Sequence, residues 1–251
     1  MLINKPIMKS LSLFFIVLFL NIPFAMSQQK FESDTLRTSA GPLTMTFVGH
    51  GTLMFSWNGL TIHIDPVSQY ADYEALPDAD LILVTHHHGD HLDPGAIAQL
   101  SKEGTTVICS ESCLEKLPDA LVMKNGDVRS FKGLTISAVP AYNIEHRRSN
   151  GEPFHPKGVG NGYVIDFGDK KVYVAGDTEN IPEMAELKDI RCAFLPMNLP
   201  YTMSPEMVSQ AVRMFHPAIL YPYHYGTTDV SKLLDLLKDE SSCEIRIRNL
   251  Q

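Results

Sequence analysis

The sequence predicts an α/β fold, and three observations carry that prediction. Strand-like apolar runs and helical segments alternate so that a β-rich stretch followed by helices occurs twice along the chain. With 251 residues, 44% of them hydrophobic, the chain can bury a full core in one ordinary α/β domain or in two small ones. The apolar run Leu81-Ile82-Leu83-Val84 reads as a buried strand. It delivers Thr85-His86-His87-His88-Gly89-Asp90-His91-Leu92-Asp93, an H-x-H-x-D-H pattern at a strand-to-loop junction. That many potential ligands in one place point to metal.

The amino terminus reads as a targeting segment. Lys5 and Lys9 precede the apolar run Leu11 to Leu20, and Ala25-Met26-Ser27 places small residues three and one positions before Gln28, the pattern of a secretory signal peptide over residues 1–27. Its apolar run is short for a membrane span, which favours a removable leader over an uncleaved anchor. Export to the periplasm or the medium, with no stable span after cleavage, is the expectation. Residues 28–42 read as a polar leader.

Three strand-like runs then form an antiparallel meander, Leu43 to Val48, Leu53 to Trp57 and Leu60 to Asp65, with Asn58-Gly59 as one of the turns. The Asp80 to Thr85 strand brings in the histidines. Pro94 to Lys102 is helical, Thr105 to Cys109 a strand, and Glu111 to Leu117 a short helix stopped by Pro118. Strands return at Val128 to Phe131 and Leu134 to Val139. The irregular stretch from Asn143 to Gly162 is long for a compact domain and reads as a lid or binding loop. Tyr163 to Phe167 and Lys171 to Ala175 make a hairpin about Gly168-Asp169. Then come a helix at Pro182 to Leu187, a strand at Cys192 to Pro196, a helix at Pro205 to Phe215, a strand at Ala218 to Tyr221, a helix at Val230 to Lys238 and a strand at Glu244 to Arg248.

The spacing of the motif has a physical reason. His86 and His88, two apart at an extended strand end, can point the same way and hold one ion, while Asp90 and His91 lie past a glycine turn that can aim them at a second. Asp177, in Gly176-Asp177-Thr178, and His224, in Pro222-Tyr223-His224-Tyr225-Gly226, also follow apolar strands. Strand ends on one sheet edge can converge, and a carboxylate such as Asp177 can bridge two cations that otherwise repel.

The histidine motif, the later Ala-Gly-Asp-Thr and the terminal His-Tyr-Gly together resemble the metallo-β-lactamase superfamily of dinuclear metal hydrolases. Gly49-His50-Gly51 with Ile64-Asp65-Pro66 resembles its branch of ascorbate-phosphate lactonase-like and N-acylphosphatidylethanolamine phospholipase-like proteins. The resemblance spans residues of about 43 to 227. It implies a four-layer αβ/βα sandwich with metals at one edge, and residues 43–251 as the hydrolase domain. Two divalent ions would share a bridging water whose pKa falls toward about 7. The resulting hydroxide would attack an ester, lactone, amide or phosphodiester. Asp90 would bind one ion and accept a hydrogen bond from the nucleophile, while the ions stabilise the developing oxyanion. The implied metal ligands are His86, His88, Asp90, His91, Asp177 and His224.

One position departs from the family. Relatives place a histidine at the end of the strand corresponding to Leu134 to Pro140, where this chain offers Asn143, a weak neutral oxygen donor. Either the first ion is under-coordinated or His155 from the long loop completes it, and His155 is favoured over Asn143, with His146 third. An N and O ligand set suits zinc first, with manganese or iron as alternatives. His50 is expected near the site. Arg147, Arg148 and Lys157 on the loop could hold a phosphate or carboxylate, and Tyr201 or Tyr225 could guide a leaving group. His63, His87 and His216 are assigned no chemistry.

A net charge of -8 disfavours general nucleic-acid binding and leaves a small molecule, anionic if the loop cations engage it, as the substrate. Losing the two leader lysines would take that charge to -10. Cys109, Cys113, Cys192 and Cys243 form no C-x-x-C pair and read as buried thiols. An aspartate at the Asp177 position and the lack of a basic arm argue against β-lactamase and ribonuclease activity. Two other classes stay open: a degenerate, non-catalytic metal-binding protein of the same fold, and a di-iron redox protein. The latter would need a carboxylate where His88 stands and a flavin domain.

Overall fold

A computed structural model of the chain describes Met1 and residues 29–250. The segment read as a signal peptide lies outside the described residues. The core elements are strands β1 (Glu32–Thr38), β2 (Gly41–Gly49), β3 (Thr52–Trp57), β4 (Leu60–Ile64), β5 (Ala79–Val84), β6 (Ser101–Cys109) and β7 (Leu121–Val122), with helix α1 (Pro94–Leu100) between β5 and β6. The second half comprises β8 (Val128–Phe131), β9 (Leu134–Ala141), β10 (Gly160–Asp166), β11 (Lys171–Val174), β12 (Ile190–Pro196), β13 (Ile219–Tyr223) and β14 (Glu244–Ile245), with α2 (Pro205–Phe215) and α3 (Val230–Leu237).

The halves repeat one plan. Each is a seven-stranded sheet with neighbours in chain order, antiparallel over its first four strands and parallel over the rest. The main core lies between the sheets, where Phe194 and Tyr221 of the second meet Phe47 of the first at ring distances of 6.3 and 5.2 Å. Leu81 and Leu83 face that core, while Ile82 and Val84 join a second cluster under α1. Cover on both faces explains the unbroken apolar run of β5. On the far face of the second sheet Tyr173 packs edge-on against Phe215 of α2. The result is an α/β sandwich of two mixed sheets with helices outside, the predicted architecture.

Helix starts follow their sequence signals. Asp93, Ser204 and Asp229 cap α1, α2 and α3 by accepting backbone N–H bonds, and Pro94 and Pro205 occupy the first turn of the first two. Some details differ from the sequence reading. The polar leader carries β1, whose alternating exposed and half-buried residues pair with β2 as an edge strand. The segments read as helices at Glu111 and Pro182 are single 3-10 turns, Glu111–Cys113 and Pro182–Glu186. β10 begins at Gly160, and the loop before it is pinned by an Arg147 to Pro153 bridge. Among the described residues no helix is long and apolar enough to cross a membrane.

Candidate metal centre

Residues that leave the strand ends at one edge of the two sheets converge on a single cleft. Their backbone is shaped for it. His50 after β2, Asp65 after β4 and His224 after β13 sit at φ of 52°, 46° and 48°, in the left-handed region that side chains bearing a Cβ avoid. The turns hold one another, since His224 N donates to His50 O at 3.1 Å. Gly176, before Asp177, has φ +64°, and a Cβ there would stand 2.7 Å from Asn161 O. Only glycine allows that approach.

Two groups of ligand atoms result. His86, His88, His155 and Asp177 form one, and His50, Asp90, His91 and His224 the other, with the ligand atoms of each group within 4.8 Å of one another. In the first, His88 Nδ1 lies 3.1 Å from His86 Nε2 and 3.2 Å from His155 Nε2. In the second, Asp90 Oδ2 lies 3.4 Å from both His50 Nε2 and His224 Nε2. Asp177 spans the two. Its Oδ1 is 3.2 Å from His91 Nε2 and 3.5 Å from His224 Nε2, while Oδ2 is 3.2 Å from His155 Nε2 and 3.8 Å from His86 Nε2.

The partners of the far ring nitrogens fix which atom of each imidazole is free to bind. Thr85 Oγ1 donates to Asp65 Oδ2 at 2.7 Å, so it accepts from His86 Nδ1 at 3.0 Å. Asp65 Oδ2 accepts from His91 Nδ1 at 2.7 Å, and Asn143 Oδ1 from His155 Nδ1 at 2.7 Å. Each contact keeps a proton on Nδ1 and turns Nε2 into the cleft, the atom through which each ring can bind a metal. The amide of Asn143 cannot be turned round, because its Nδ2 donates to Glu179 Oε1 at 3.0 Å and to Tyr201 O at 2.9 Å.

The electrostatics fit a cation. Burial, with His91 beside it, drives His86 well below the ordinary imidazole range. Burial and His155 bring His88 down to about 4. Both rings are therefore neutral near pH 7, the form that coordinates. Burial alone would raise the carboxyls, but His224 and His91 around Asp177, and the hydrogen bonds from His224 and His50 to Asp90, hold both well below the usual carboxylate range. His91 goes the other way: burial lowers it, yet Asp177 and Asp65 outweigh that and raise it well above. His91 Nε2 and Asp177 Oδ1 are fully buried and face each other without hydrogen-bond geometry. Two orphaned polar atoms so placed are what a metal ion would satisfy, and the residues present fit one in each group.

The sequence-predicted residues divide as follows. His86, His88, Asp90, His91, His155, Asp177 and His224 all contribute to the two groups, and His50 joins the second. Asn143 stands behind His155 as its hydrogen-bond acceptor, and His146 Nδ1 is engaged by Glu179 Oε1 at 2.7 Å. Tyr201 lines the cleft. Three expected residues do not. Arg147 turns to Gly151 O and Ile144 O, Lys157 pairs with Glu183 at 2.7 Å, and Tyr225 is buried with its hydroxyl on Arg248 O. Sequence reasoning gave no site role to Asp65, Thr85, Glu179, Phe154 or Asn198. Asp65 had a signal, an acidic residue directly after a buried strand. Glu179 had none, although it gathers the backbone N–H groups of Ile144, Glu145 and His146 and so fixes the loop that carries His155.

Comparison with known proteins agrees with the fold. Residues 44–224 match the family model described as a beta-lactamase superfamily domain. The chain is 30% identical over 197 residues to a UPF0173 metal-dependent hydrolase of Methanopyrus kandleri, covering 74% of this chain and 85% of that protein. It is 50% identical to a protein of Parabacteroides distasonis named as a metal-dependent hydrolase, whose crystal structure superposes with a TM-score of 0.84 over 88% of this chain and all (100%) of that one. Igni18, a metallo hydrolase of Ignicoccus hospitalis at 24% identity, shares the fold with a TM-score of 0.69, over 83% of this chain and 95% of its own. The chain belongs to the β-lactamase superfamily and has the metallo-β-lactamase fold.

Proposed function

We propose that this metal-dependent hydrolase works with two adjacent divalent ions, zinc before manganese or iron, on an ester, lactone or phosphodiester of a small molecule. The observation that carries the reading is Asp177, whose two oxygens each face a different group of imidazoles. His86, His88 and His155 would hold one ion, Asp90, His91 and His224 the other, and Asp177 both. Bound there, such ions supply Lewis acidity and bring the pKa of a coordinated water toward about 7.

The chain's own residues supply the rest. Asp65, Thr85 and Asn143 orient the ligand rings. Asp90 stays ionised and can accept a proton or hydrogen bond in the cleft, and its side chain is 44% exposed, open to substrate. His50 steadies that carboxylate from the β2 turn. Tyr201, on the rim, is available to a leaving group. We also propose, from the leader-like pattern of residues 1–27 alone, that the activity lies outside the cytoplasm, and cell fractionation tests that part.

The test is elemental analysis beside a screen of ester, lactone and phosphodiester substrates on wild type and Asp90→Asn. Two ions per chain, with activity lower by two or more orders of magnitude in the variant, are expected. Equal activity in the two proteins overturns the mechanism.

A further inference from the structure

The cleft is a cavity of about 440 Å³, and Arg148 is the one lysine or arginine among the described residues that line it. Loop geometry holds that arginine there. Arg148 N donates to Glu152 O at 2.7 Å, Nη2 donates to Phe154 O at 3.2 Å, and the guanidinium lies 5.2 Å over the Phe154 ring. Phe154 in turn meets Tyr201 edge to face, with ring centres 5.1 Å apart. The neighbouring cations point elsewhere.

Arg148 Nη2 also stands 3.5 Å from His88 Nε2. His88 turns Nδ1 toward His86 and His155, so an ion bound on that side leaves the proton on Nε2. Arginine keeps its protons at any working pH. The 3.5 Å contact, which a bare Nε2 would accept as a hydrogen bond, would with the ion in place join two N–H donors that cannot satisfy each other. Nη1 and Nε of Arg148 have no hydrogen-bond partner among the described residues. What satisfies such a set is an anionic oxygen, and a guanidinium fork matches the two oxygens of a phosphate or carboxylate.

We propose that the substrate carries a phosphate or carboxylate group that seats between Arg148 and the Nε2 edge of His88, beside the Phe154 and Tyr201 rings. This rests on the two-ion reading, which sets the tautomer of His88. It makes Arg148 a specificity-determining residue and selects anionic esters over neutral ones.

The test uses metal-loaded wild type, Arg148→Ala and Arg148→Lys, with metal content measured on the same samples and inorganic phosphate and succinate titrated separately by calorimetry. Arg148 is exposed on a loop, and circular dichroism checks that the variants fold. Phosphate or succinate should bind at least tenfold more weakly to Arg148→Ala, with Arg148→Lys between, at unchanged metal content. Weakening for phosphate alone assigns a phosphorylated substrate, and weakening for succinate as well a general oxyanion site. Equal affinity across the three proteins at full metal content, or no binding of either anion by wild type, overturns the anion site and leaves the two-ion reading standing. A wild type that holds no metal overturns both.

Discussion

If two ions are held as proposed, replacing Asp65 by asparagine should weaken the one at His91 more than the one at His86. The Asp65 carboxylate accepts from Thr85 N, Thr85 Oγ1 and His91 Nδ1, all at 2.7 Å, and both it and the His91 side chain are 0% exposed. Asparagine keeps one oxygen for the Thr85 amide but puts an NH₂ where the second oxygen stood. The threonine hydroxyl can rotate and accept from it, and keeps a second lone pair for His86 Nδ1, although its own proton no longer has the acceptor that fixed its direction. The His91 ring has no such freedom: Nδ1 must give up its proton and accept, which moves the proton to Nε2, the atom that faces Asp177. An ion must then displace that proton with no acceptor behind the ring to hold another on Nδ1. Loss of a partner that orients a ligand ring typically costs about 10 to 100-fold in metal affinity, or about 1.4 to 2.7 kcal/mol. Competition titration with a chromogenic chelator resolves the two ions, and cobalt absorption reports the coordination. The affinity that depends on His91 should fall by that factor, and the one that depends on His86 by less, since Thr85 Oγ1 still can accept from that ring. Two wild-type affinities in Asp65→Asn would refute the tautomer argument.

Other outcomes follow from the same contacts. Asn143→Ala removes the acceptor of His155 Nδ1 and should lower affinity at the other ion by a similar 10 to 100-fold, with the Asp65-dependent ion unaffected, by the same titration. His63 belongs to neither ligand group, is fully buried and is pushed down to about 4 by burial. The folded state keeps it neutral while the unfolded chain protonates it below about 6.5. Its neutral burial therefore costs nothing above that pH and destabilises progressively as the pH falls toward 4. Urea unfolding of wild type and His63→Phe should diverge by about 3 kcal/mol between pH 7 and pH 4, the wild type having the steeper loss. Parallel curves would contradict the assignment.

How much was legible depended on how local the information was. The stretch from His86 to His91 follows a strand and sets the directions of its own side chains, so spacing alone was enough to group them. Asp177 and His224 were found because β11 and β13 end just before them in sequence. Asn143 drew notice as a departure, but its use as the acceptor for His155 depends on Glu179 and on the return of the loop, which no local pattern encodes. The loop cations show the limit most clearly. Arg147 and Arg148 are adjacent, and the bridge from Arg147 to Pro153 decides which one enters the cleft. Tyr225 was misread for a related reason: the left-handed turn at His224 re-aims the next side chain toward Arg248. β1 was missed because an edge strand with one wet face has too few apolar residues to stand out.

The two sheets repeat a single plan, and each ligand group draws on both. His88 and His155 are 67 positions apart in the chain, and Asp90 and His224 are 134 apart. An ion in either group would therefore cross-link the halves as well as serve the chemistry. Fastening a loop of about 100 residues is worth about 4.7 kcal/mol in the chain-entropy description of disulfides, and a metal clip acts on the unfolded chain in the same way. A chain with four buried thiols and no disulfide would find in a bound metal the staple that its cysteines do not provide. Catalysis and durability would then draw on the same metal.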